Sequence, residues 1–296
     1  MSLHDVSLSR RQFLRGASLA AAMPVFASLA ACGGNNANND AATTDAANKT
    51  DATQAMTLIV GFDQDFPPYG YLDENGQFTG FDLDLAQEVC KLEGWTYQPE
   101  AIAWDSKDAQ LNSGQITCIW NGFTIEGREK DYAFTDAYME NRQVIVVSAD
   151  SDIKALADLA GKNVVTQADS AALNLLSEGG DQAELGKTFA KLDTIGEYNT
   201  AFMSLQNGEY DAVAVDYPVA VFNIGDSKDF VILDEPLNSE HFGVGFANTA
   251  EGKELAAKVQ ADLQKLDANG TVEKLCEKYA DQGVSYTAWV LPKASA

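Results

Sequence analysis

Continuous apolar runs alternate with amphipathic stretches along most of the chain. The run TLIVGF at 57–62 is typical of a strand buried on both faces. FDLDLAQEVCKLEG at 81–94 instead has apolar residues at helical spacing, with Asp82 as a candidate N-cap and Gly94 as a stop signal. The alternation of these two patterns predicts an α/β chain with a mostly parallel sheet or sheets.

The same alternation continues to about residue 280. Six further segments are predicted to be strands: 116–121, 143–149, 163–167, 210–216, 230–235 and 242–247. Four further segments are predicted to be helices: 170–178, 200–208, 254–266 and 271–280. In open α/β sheets, ligands bind beyond the carboxyl ends of the strands, so these strand exits are the first places to look for a site.

The first 31 residues have the pattern of an export signal. SRRQFLR at 9–15 is a twin-arginine segment, and the apolar run 17–31 is too short to span a bilayer well. The run ends in LAAC, which resembles the bacterial lipobox, whose cysteine, here Cys32, is lipidated. The alternatives are a transmembrane anchor or a cysteine placed by chance. Two or more acyl chains on Cys32 would hold the protein at a membrane surface.

Residues 33–55 form a stretch of low complexity. They are almost all Asn, Ala, Thr, Asp and Gly and include no bulky apolar side chain. Such a composition cannot bury enough surface to offset the entropy lost on ordering, which predicts a flexible tether. The remainder, 56–296, is long enough for two lobes with separate cores.

Charge and rare residues narrow the classes of function. A formal net charge of −24 disfavours nucleic acid and favours cations, zwitterions or basic protein surfaces as partners. Three cysteines follow the tether, at Cys90, Cys118 and Cys276; they are predicted to be small buried side chains, with at most one disulfide. His4 and His241 are the only histidines, which disfavours a histidine-based metal site or a Ser-His-Asp triad.

The strand exits carry groups that suit an α-amino acid. Arg128 offers a planar fork that matches a carboxylate, and Thr124 and Ser170 offer hydroxyl groups. Asp216 offers a negative charge to an ammonium group. Each residue also has a plainer interpretation: Arg128 as a surface ion pair, Ser170 as an N-cap, and Asp216 as a turn or cap residue.

Five segments together resemble one known family, the type II solute-binding proteins of polar amino acid ABC transporters, known as bacterial extracellular family 3. These segments are GFDQDFPPYGYLDENGQFTGFDLDLAQEV (61–89), NGFTIEGREKDYAFTDAY (121–138), DLAGKNVVTQ (158–167), LQNGEYDAVAVDYP (205–218) and LDANGTVEKLCEKY (266–279). The resemblance covers nearly all of 57–281. It implies an extracytoplasmic, lipid-anchored, monomeric binding protein that is not an enzyme, needs no cofactor, and docks on the membrane permease subunits of a transporter.

The resemblance also implies the ligand contacts. The residues implied are Asp63, Phe66, Trp104, Asn121, Gly122, Thr124, Arg128, Ala168, Ser170 and Asp216. In this assignment two aromatic side chains flank the ligand side chain, and Asp63 reaches its polar end. The carbonyl of Gly122 and the carboxylate of Asp216 bind the ammonium, while Thr124 and Arg128 hold the carboxylate and the second-lobe serine closes on it.

Two features depart from the family pattern. TIEGR, at 124–128, has one residue fewer between the hydroxyl and the arginine than is common, so the glycine must restore the reach of Arg128. Asp169 places an acid beside the expected carboxylate site.

The implied fold has two α/β lobes joined by two crossover strands, with the ligand cleft between them. The first lobe is predicted to comprise 56–141 and 237–296, and the second 142–236. The crossovers are expected near 138–142 and 234–237. A ligand that contacts both lobes would favour the closed form, which the permease would recognise.

The ligand class follows from acids at the cleft. Asp63 and Asp65 favour a ligand side chain that ends in a donor or a positive charge, such as that of Lys, Arg, His or Gln. If Arg142 points into the cleft, an acidic or cystine-like ligand would fit instead. Two other functions stay open: a cyclohexadienyl (prephenate or arogenate) dehydratase that uses Asp63 or Asp169 as general acid, and the sensor domain of a receptor.

Overall fold

The computed structural model describes residues 56–292. The export signal 1–31, Cys32 and the tether 33–55 lie outside the described residues, so those assignments stay predictions. Between residues 56 and 292, no helix combines the length and the apolar character needed to cross a membrane.

The described chain alternates strands and helices as the sequence predicts. The strands are β1 (Thr57–Phe62), β2 (Asp65–Phe66), β3 (Gly70–Leu72), β4 (Phe78–Thr79), β5 (Thr96–Ala101), β6 (Cys118–Ile119), β7 (Tyr132–Phe134), β8 (Met139–Asn141), β9 (Gln143–Ser148), β10 (Asn163–Gln167), β11 (Lys191–Ile195), β12 (Ala212–Asp216), β13 (Phe230–Ile232), β14 (Glu240–Phe242) and β15 (Gly245–Ala247). The helices are α1 (Phe81–Glu93), α2 (Lys107–Ser113), α3 (Ala171–Leu176), α4 (Ala183–Gly186), α5 (Tyr198–Gln206), α6 (Tyr217–Ile224), α7 (Ala250–Ala268) and α8 (Thr271–Lys278).

Two five-stranded sheets form the centres of two lobes. In the first lobe the strand order is β5-β1-β6-β15-β7, and in the second it is β11-β10-β12-β9-β13. β1 is parallel to both of its neighbours, and so is β10. These strands deliver their carboxyl ends, and the loops that follow them, to the cleft between the lobes.

The prediction of mostly parallel sheets was wrong. β15 is antiparallel to β6 and β7, and β9 is antiparallel to β12 and β13, so each sheet is mixed. A parallel neighbour needs a long crossover connection, usually a helix. β9 follows β8 after a single residue, and β15 follows β14 after two, so neither strand is entered through a helix.

A short two-stranded ribbon lies where the chain passes between the lobes. β8 pairs with β14 in antiparallel register, with Asn141 opposite Glu240 and Met139 opposite Phe242. β8 falls in the predicted first crossover, whereas β14 begins three residues after the predicted second one. The exact boundaries of the lobes stay a prediction.

Helix α1 carries one correction and one confirmation. Gly80 rather than Asp82 occupies the N-cap position, while Gly94 ends the helix in the left-handed conformation, as predicted. Asp82 is fully buried, and its carboxylate accepts hydrogen bonds from the Gly122 amide at 2.6 Å and the Tyr138 hydroxyl at 2.7 Å. Asp82 therefore ties α1 to a loop at the cleft.

The cysteine prediction is confirmed for the described chain. Cys90, Cys118 and Cys276 are buried, and none of them forms a disulfide. Burial raises the pKa of all three thiols, to about 11 for Cys90 and about 12 for Cys276, so they stay protonated and act as small apolar side chains.

Candidate functional site

A small cavity lies between the two lobes. Its lining residues are Phe66, Trp104, Gly122, Thr124, Arg128, Gln167, Ser170, Ala171 and Asp216. Seven of them are among the ten residues predicted from the sequence. Gln167 and Ala171 were not predicted, although Gln167 is the last residue of a predicted strand and its polarity there was a usable signal.

The aromatic side of the cavity depends on a glycine. Gly122 has a φ of +54°, which side chains rarely allow, and a Cβ atom there would lie 2.7 Å from Cε1 of Phe66. Trp104 packs edge-to-face on Phe123, with ring centroids 5.6 Å apart. Gly122 therefore brings backbone without a side chain against one aromatic wall of the cavity, as the approach of a ligand to its carbonyl requires.

Arg128 is held so that its guanidinium spans the cleft. Nη1 donates to the carbonyl of Thr124 at 3.2 Å, and Nη2 donates to the carbonyl of Asp169, in the second lobe, at 3.3 Å. The guanidinium also lies over the Phe123 ring, 5.1 Å from its centroid. Only 7 % of Arg128 is exposed, so the surface ion pair interpretation does not hold.

The shortened loop before Arg128 closes as a turn. Gly127 has a φ of +81°, and the Arg128 amide donates to the carbonyl of Ile125 at 2.9 Å. The glycine thus restores the reach of the arginine, which is what the shortened spacing required.

The two hydroxyl groups are engaged with the protein. Thr124 donates to Oε1 of Glu240 at 2.8 Å and also lines the cavity, and its contact with a ligand carboxylate stays a prediction. Ser170 caps α3, accepting from the Leu173 amide at 3.1 Å. The N-cap interpretation of Ser170 is therefore confirmed, and the same side chain also lines the cavity.

Asp216 supplies the negative side of the cavity. It precedes α6 but makes no capping bond with its side chain; instead it accepts from Asn141 at 2.7 Å and from Gln143 at 2.6 Å. Burial, together with the nearby Glu240, raises the pKa of Asp216 to about 8. The plainer turn or cap interpretation does not account for this set of contacts.

Three predicted contacts, Asp63, Asn121 and Ala168, do not line the cavity. The amide of Asp63 donates to Oδ1 of Asn121 at 2.9 Å, and the amide of Ala168 donates to the carbonyl of Ile195 at 2.9 Å. The Asp63 carboxylate accepts from Nε2 of Gln167, and burial raises its pKa to about 6. These residues fix the loops that follow β1 and β10 around the cavity.

Asp169, the unexpected acid, pairs with a lysine that the sequence analysis missed. Nζ of Lys107, in the first lobe, donates to Oδ2 of Asp169 in the second. Lys107 is 1 % exposed and lies 5.2 Å from the centre of the Trp104 ring, and burial lowers its pKa. The signal was a lysine three residues after a predicted cleft aromatic. Asp169 has a φ of +58°, so its backbone also turns sharply at this contact.

A further polar contact closes the rim of the cleft. Both carboxylate oxygens of Asp65 accept from Asn199, at the start of α5 in the second lobe; the backbone amide contact measures 2.9 Å. Burial raises the pKa of Asp65 to about 7. Three of the polar side-chain contacts between the lobes are called here the cross-lobe contacts: Asp65 to Asn199, Lys107 to Asp169 and Gln167 to Asp63.

Arg142 points away from the cavity. It is exposed, and its guanidinium stacks over the Tyr217 ring, 3.9 Å from the centroid, in a groove on the hinge side. The condition set for an acidic or cystine-like ligand is therefore not met. Across residues 56–292, no group of three or more His, Cys, Asp or Glu side chains is placed to hold a metal ion.

Known proteins of similar sequence and structure bind amino acids. Residues 58–282 match the family described as bacterial extracellular solute-binding proteins, family 3. The arginine-binding extracellular protein ArtP of Bacillus subtilis is 27 % identical over 88 % of this chain and 95 % of its own. The L-cystine-binding protein TcyA of the same organism is 29 % identical over 88 % of this chain and 94 % of its own.

A solved structure is similar over most of the described chain. It is an ABC uptake transporter substrate-binding protein from Streptococcus pneumoniae with bound histidine. The TM-score is 0.73 at 29 % identity, over 78 % of this chain and 94 % of that one. The similarity in structure therefore agrees with the match of the sequence to the family.

Proposed function

This chain belongs to the bacterial extracellular solute-binding proteins of family 3, and on that premise we propose that it captures a free L-amino acid outside the cytoplasm and delivers it to an ABC transporter permease. One observation carries the proposal. Arg128 and Asp216, a guanidinium and a carboxyl group that are both buried, line a single cavity between the lobes. An α-amino acid has the matching pair of groups, a carboxylate for the guanidinium and an ammonium for the carboxylate.

The ligand side chain is basic or polar in this proposal. Asp63 and Asp65 precede the cavity residue Phe66 in the chain, and Gln167, which lines the cavity, donates to Asp63. A donor or a positive charge on the ligand would stabilise the ionised form of these buried acids, whose pKa values are raised. Arginine, histidine and glutamine meet this requirement better than acidic amino acids do.

Closure of the lobes is the proposed signal to the permease. The cavity is lined from both lobes, so a ligand there contacts both and favours the closed arrangement. The protein is proposed to act as a monomer, with its lobes divided near residues 141 and 237.

A dehydratase is the weaker candidate. The Asp169 carboxylate is engaged by the Lys107 ammonium across the cleft and does not line the cavity. Asp63 has a pKa of about 6, which suits a general acid, but it does not line the cavity. The relatives compared above carry the names of binding proteins, not of enzymes.

A ligand screen tests the proposed function directly. The purified protein is unfolded and refolded to remove carried-over ligand, then heated with each of the twenty amino acids, cystine, ornithine and prephenate. A ligand that binds only the folded state raises the melting temperature, by an amount that grows with its concentration. We expect the largest rise with arginine, histidine or glutamine, and recovery of the ligand unchanged.

Two results of the screen would contradict the proposal. A rise with prephenate alone, accompanied by product, would favour the dehydratase. A melting temperature that no amino acid changes, in a protein shown to be refolded, would remove the binding function.

We also propose that Cys32 carries the lipid anchor. The lipobox-like LAAC and the low-complexity tether support this assignment. In a bacterial host that lipidates exported proteins, we expect the native chain in the membrane fraction and the Cys32→Ser variant released in soluble form outside the cytoplasm. Equal membrane retention of the two proteins would contradict the assignment and favour an uncleaved apolar segment as the anchor.

A further inference from the structure

Two buried carboxylates share the same hydrogen-bond donors where the lobes join. Nδ2 of Asn141 donates to Asp216 and to Glu240, at 2.7 Å in each case. Nε2 of Gln143 donates to the same two oxygens, at 2.6 Å and 2.8 Å. Because each amide nitrogen contacts both, Asp216 and Glu240 form a close pair, called here the hinge carboxyl pair.

The protein surrounds the hinge carboxyl pair with neutral donors. Asp216 is 4 % exposed and Glu240 is 1 % exposed. Besides the two shared amides, Glu240 accepts from the Thr124 hydroxyl and from Nδ2 of Asn238, each at 2.8 Å. None of the ion pairs within residues 56–292 includes either acid. Two like charges at such close range and so deeply buried are not both stable without a cation.

The two shared amides leave their own oxygens unsatisfied. Oδ1 of Asn141 and Oε1 of Gln143 are buried and have no hydrogen-bond partner. An unmade hydrogen bond of this kind costs about 1–3 kcal/mol. The amides are therefore oriented to give their N–H groups to the carboxyl pair, in surroundings that contain more acceptors than donors. A positively charged donor would correct that imbalance.

We propose that Asp216 and Glu240 together hold one proton when the cavity is free of ligand, and that the ammonium group of the amino acid replaces this proton. The inference rests on the proposed function and assigns Glu240, which no sequence pattern indicated, a share in ammonium recognition. On binding, the O–H bond of the pair breaks and its proton leaves to solvent, while N–H groups of the ammonium bond to Asp216, the member of the pair that lines the cavity. Glu240 acts on the ammonium through its charge. The ammonium then supplies the positive charge that the proton supplied before, so the net charge of the pair with its partner stays at −1.

The affinity for the amino acid depends on pH with a definite sign. Burial and the neighbouring carboxylate raise the pKa of Asp216 to about 8, so near neutral pH the free pair is largely protonated. An ammonium at the pair stabilises the ionised form and lowers that pKa. Affinity for the amino acid therefore rises with pH, by at most about tenfold per pH unit for one released proton, until the free pair is itself ionised near pH 8.

The other titratable groups around the hinge carboxyl pair do not account for the proposed proton release. Tyr69 and Tyr198 face Asp216, but burial raises their pKa values further above neutrality, so both stay protonated. Arg128 lines the same cavity and stays charged. His241 follows Glu240 in β14 but pairs with Glu126 at 2.7 Å.

Three other groups lie further out. Arg142 stacks on Tyr217 in the groove behind the hinge. Asp63 and Asp65, at the far end of the cleft, have raised pKa values and would add their own proton release with a basic ligand. The decisive quantity is therefore the difference in proton release between the native protein and a variant at Glu240.

Calorimetry in buffers of different ionisation enthalpy measures the number of protons released on binding. L-arginine, L-histidine and L-glutamine are titrated at pH 7 into the native protein and into Glu240→Gln, in which the remaining carboxyl group is relieved of its like-charged neighbour. We expect the variant to release about one proton fewer per ligand. Glu126→Gln, which removes an exposed acid beside His241, is the matched control and should release as many protons as the native protein.

The native protein offers a second measurement that does not depend on the variant folding. The infrared difference spectrum at pH 7 should show loss of the carbonyl band of a protonated carboxyl group when L-glutamine or L-arginine binds. Equal proton release from the native protein and Glu240→Gln, or a band unchanged by binding, would overturn the inference while leaving amino acid binding intact. Absence of any binding heat with the native protein would instead count against the proposed function.

Discussion

Arg128→Ala is expected to abolish amino acid binding at ligand concentrations that saturate the native protein. Its guanidinium lines the cavity, is 7 % exposed, and bridges the Thr124 and Asp169 carbonyls across the cleft. Removing one partner of a buried, hydrogen-bonded charge pair costs about 2–5 kcal/mol, which corresponds to roughly a thirtyfold to several-thousandfold loss of affinity. Titration calorimetry with the ligand found in the screen measures this loss.

Arg142→Ala is the matched control for that experiment. It also removes a guanidinium stacked on an aromatic ring, but this one is exposed and outside the cavity. We expect native affinity from Arg142→Ala and native melting temperatures from both variants in the absence of ligand. Tight binding by Arg128→Ala would show that the carboxylate is held elsewhere, and weak binding by Arg142→Ala would place the ligand in the hinge groove.

The ligand-free protein is expected to lose stability as the pH rises from 5 to 8. Burial raises the pKa of Asp82 to about 7, whereas in the unfolded chain an aspartate has a pKa of about 3.9. The folded state therefore binds this proton more tightly, and the stabilisation is complete below about pH 4 and is lost as the pH rises through 7. One such group contributes up to about 1.4 kcal/mol per pH unit, and Asp65 and Asp216 act in the same direction.

Asp82→Asn isolates the contribution of this carboxyl group. Urea unfolding at pH 5, 6, 7 and 8 should give a pH slope of the unfolding free energy that is smaller than in the native protein, by about one proton at pH 5 to 6 and by progressively less above pH 7. Asp105→Asn, at an exposed position, should leave the slope unchanged. An unfolding free energy of the native protein that increases with pH across this window, or a slope that Asp82→Asn does not alter, would contradict the assignment.

Sequence patterns located the buried strands better than the edge strands. β1 and β10 have the predicted bounds. Both lie inside their sheets; β1 is mostly apolar, and β10 has two adjacent valines followed by two buried polar residues. β5 and β11 are edge strands with polar residues and partial exposure, and β5 contains Pro99, so neither gave a strand signal. Helix α6 was also missed, because its apolar run follows Asp216 without a polar break and lacks helical spacing.

The cavity was predicted well where its residues follow strands directly. Gly122 and Arg128 belong to the loop that follows β6, and Phe66 lies in the short strand β2 just after β1, so the strand order determines their positions. The contact between Asp216 and Glu240 could not be foreseen, because it depends on two amides, Asn141 and Gln143, that meet them only where the chain crosses between the lobes. The spacing of residues along the chain does not predict tertiary contacts of this kind.

The cross-lobe contacts affect how the bound amino acid is released to the transporter. The Asp65 to Asn199 and Lys107 to Asp169 contacts are made by the protein's own side chains, so they favour the shut form whichever amino acid is inside. They slow dissociation of the bound amino acid into the medium. Their free energy opposes opening of the lobes at the membrane to the same extent. The transporter must therefore pull the lobes apart, and part of the work of each transport cycle is spent on contacts that never touch the amino acid.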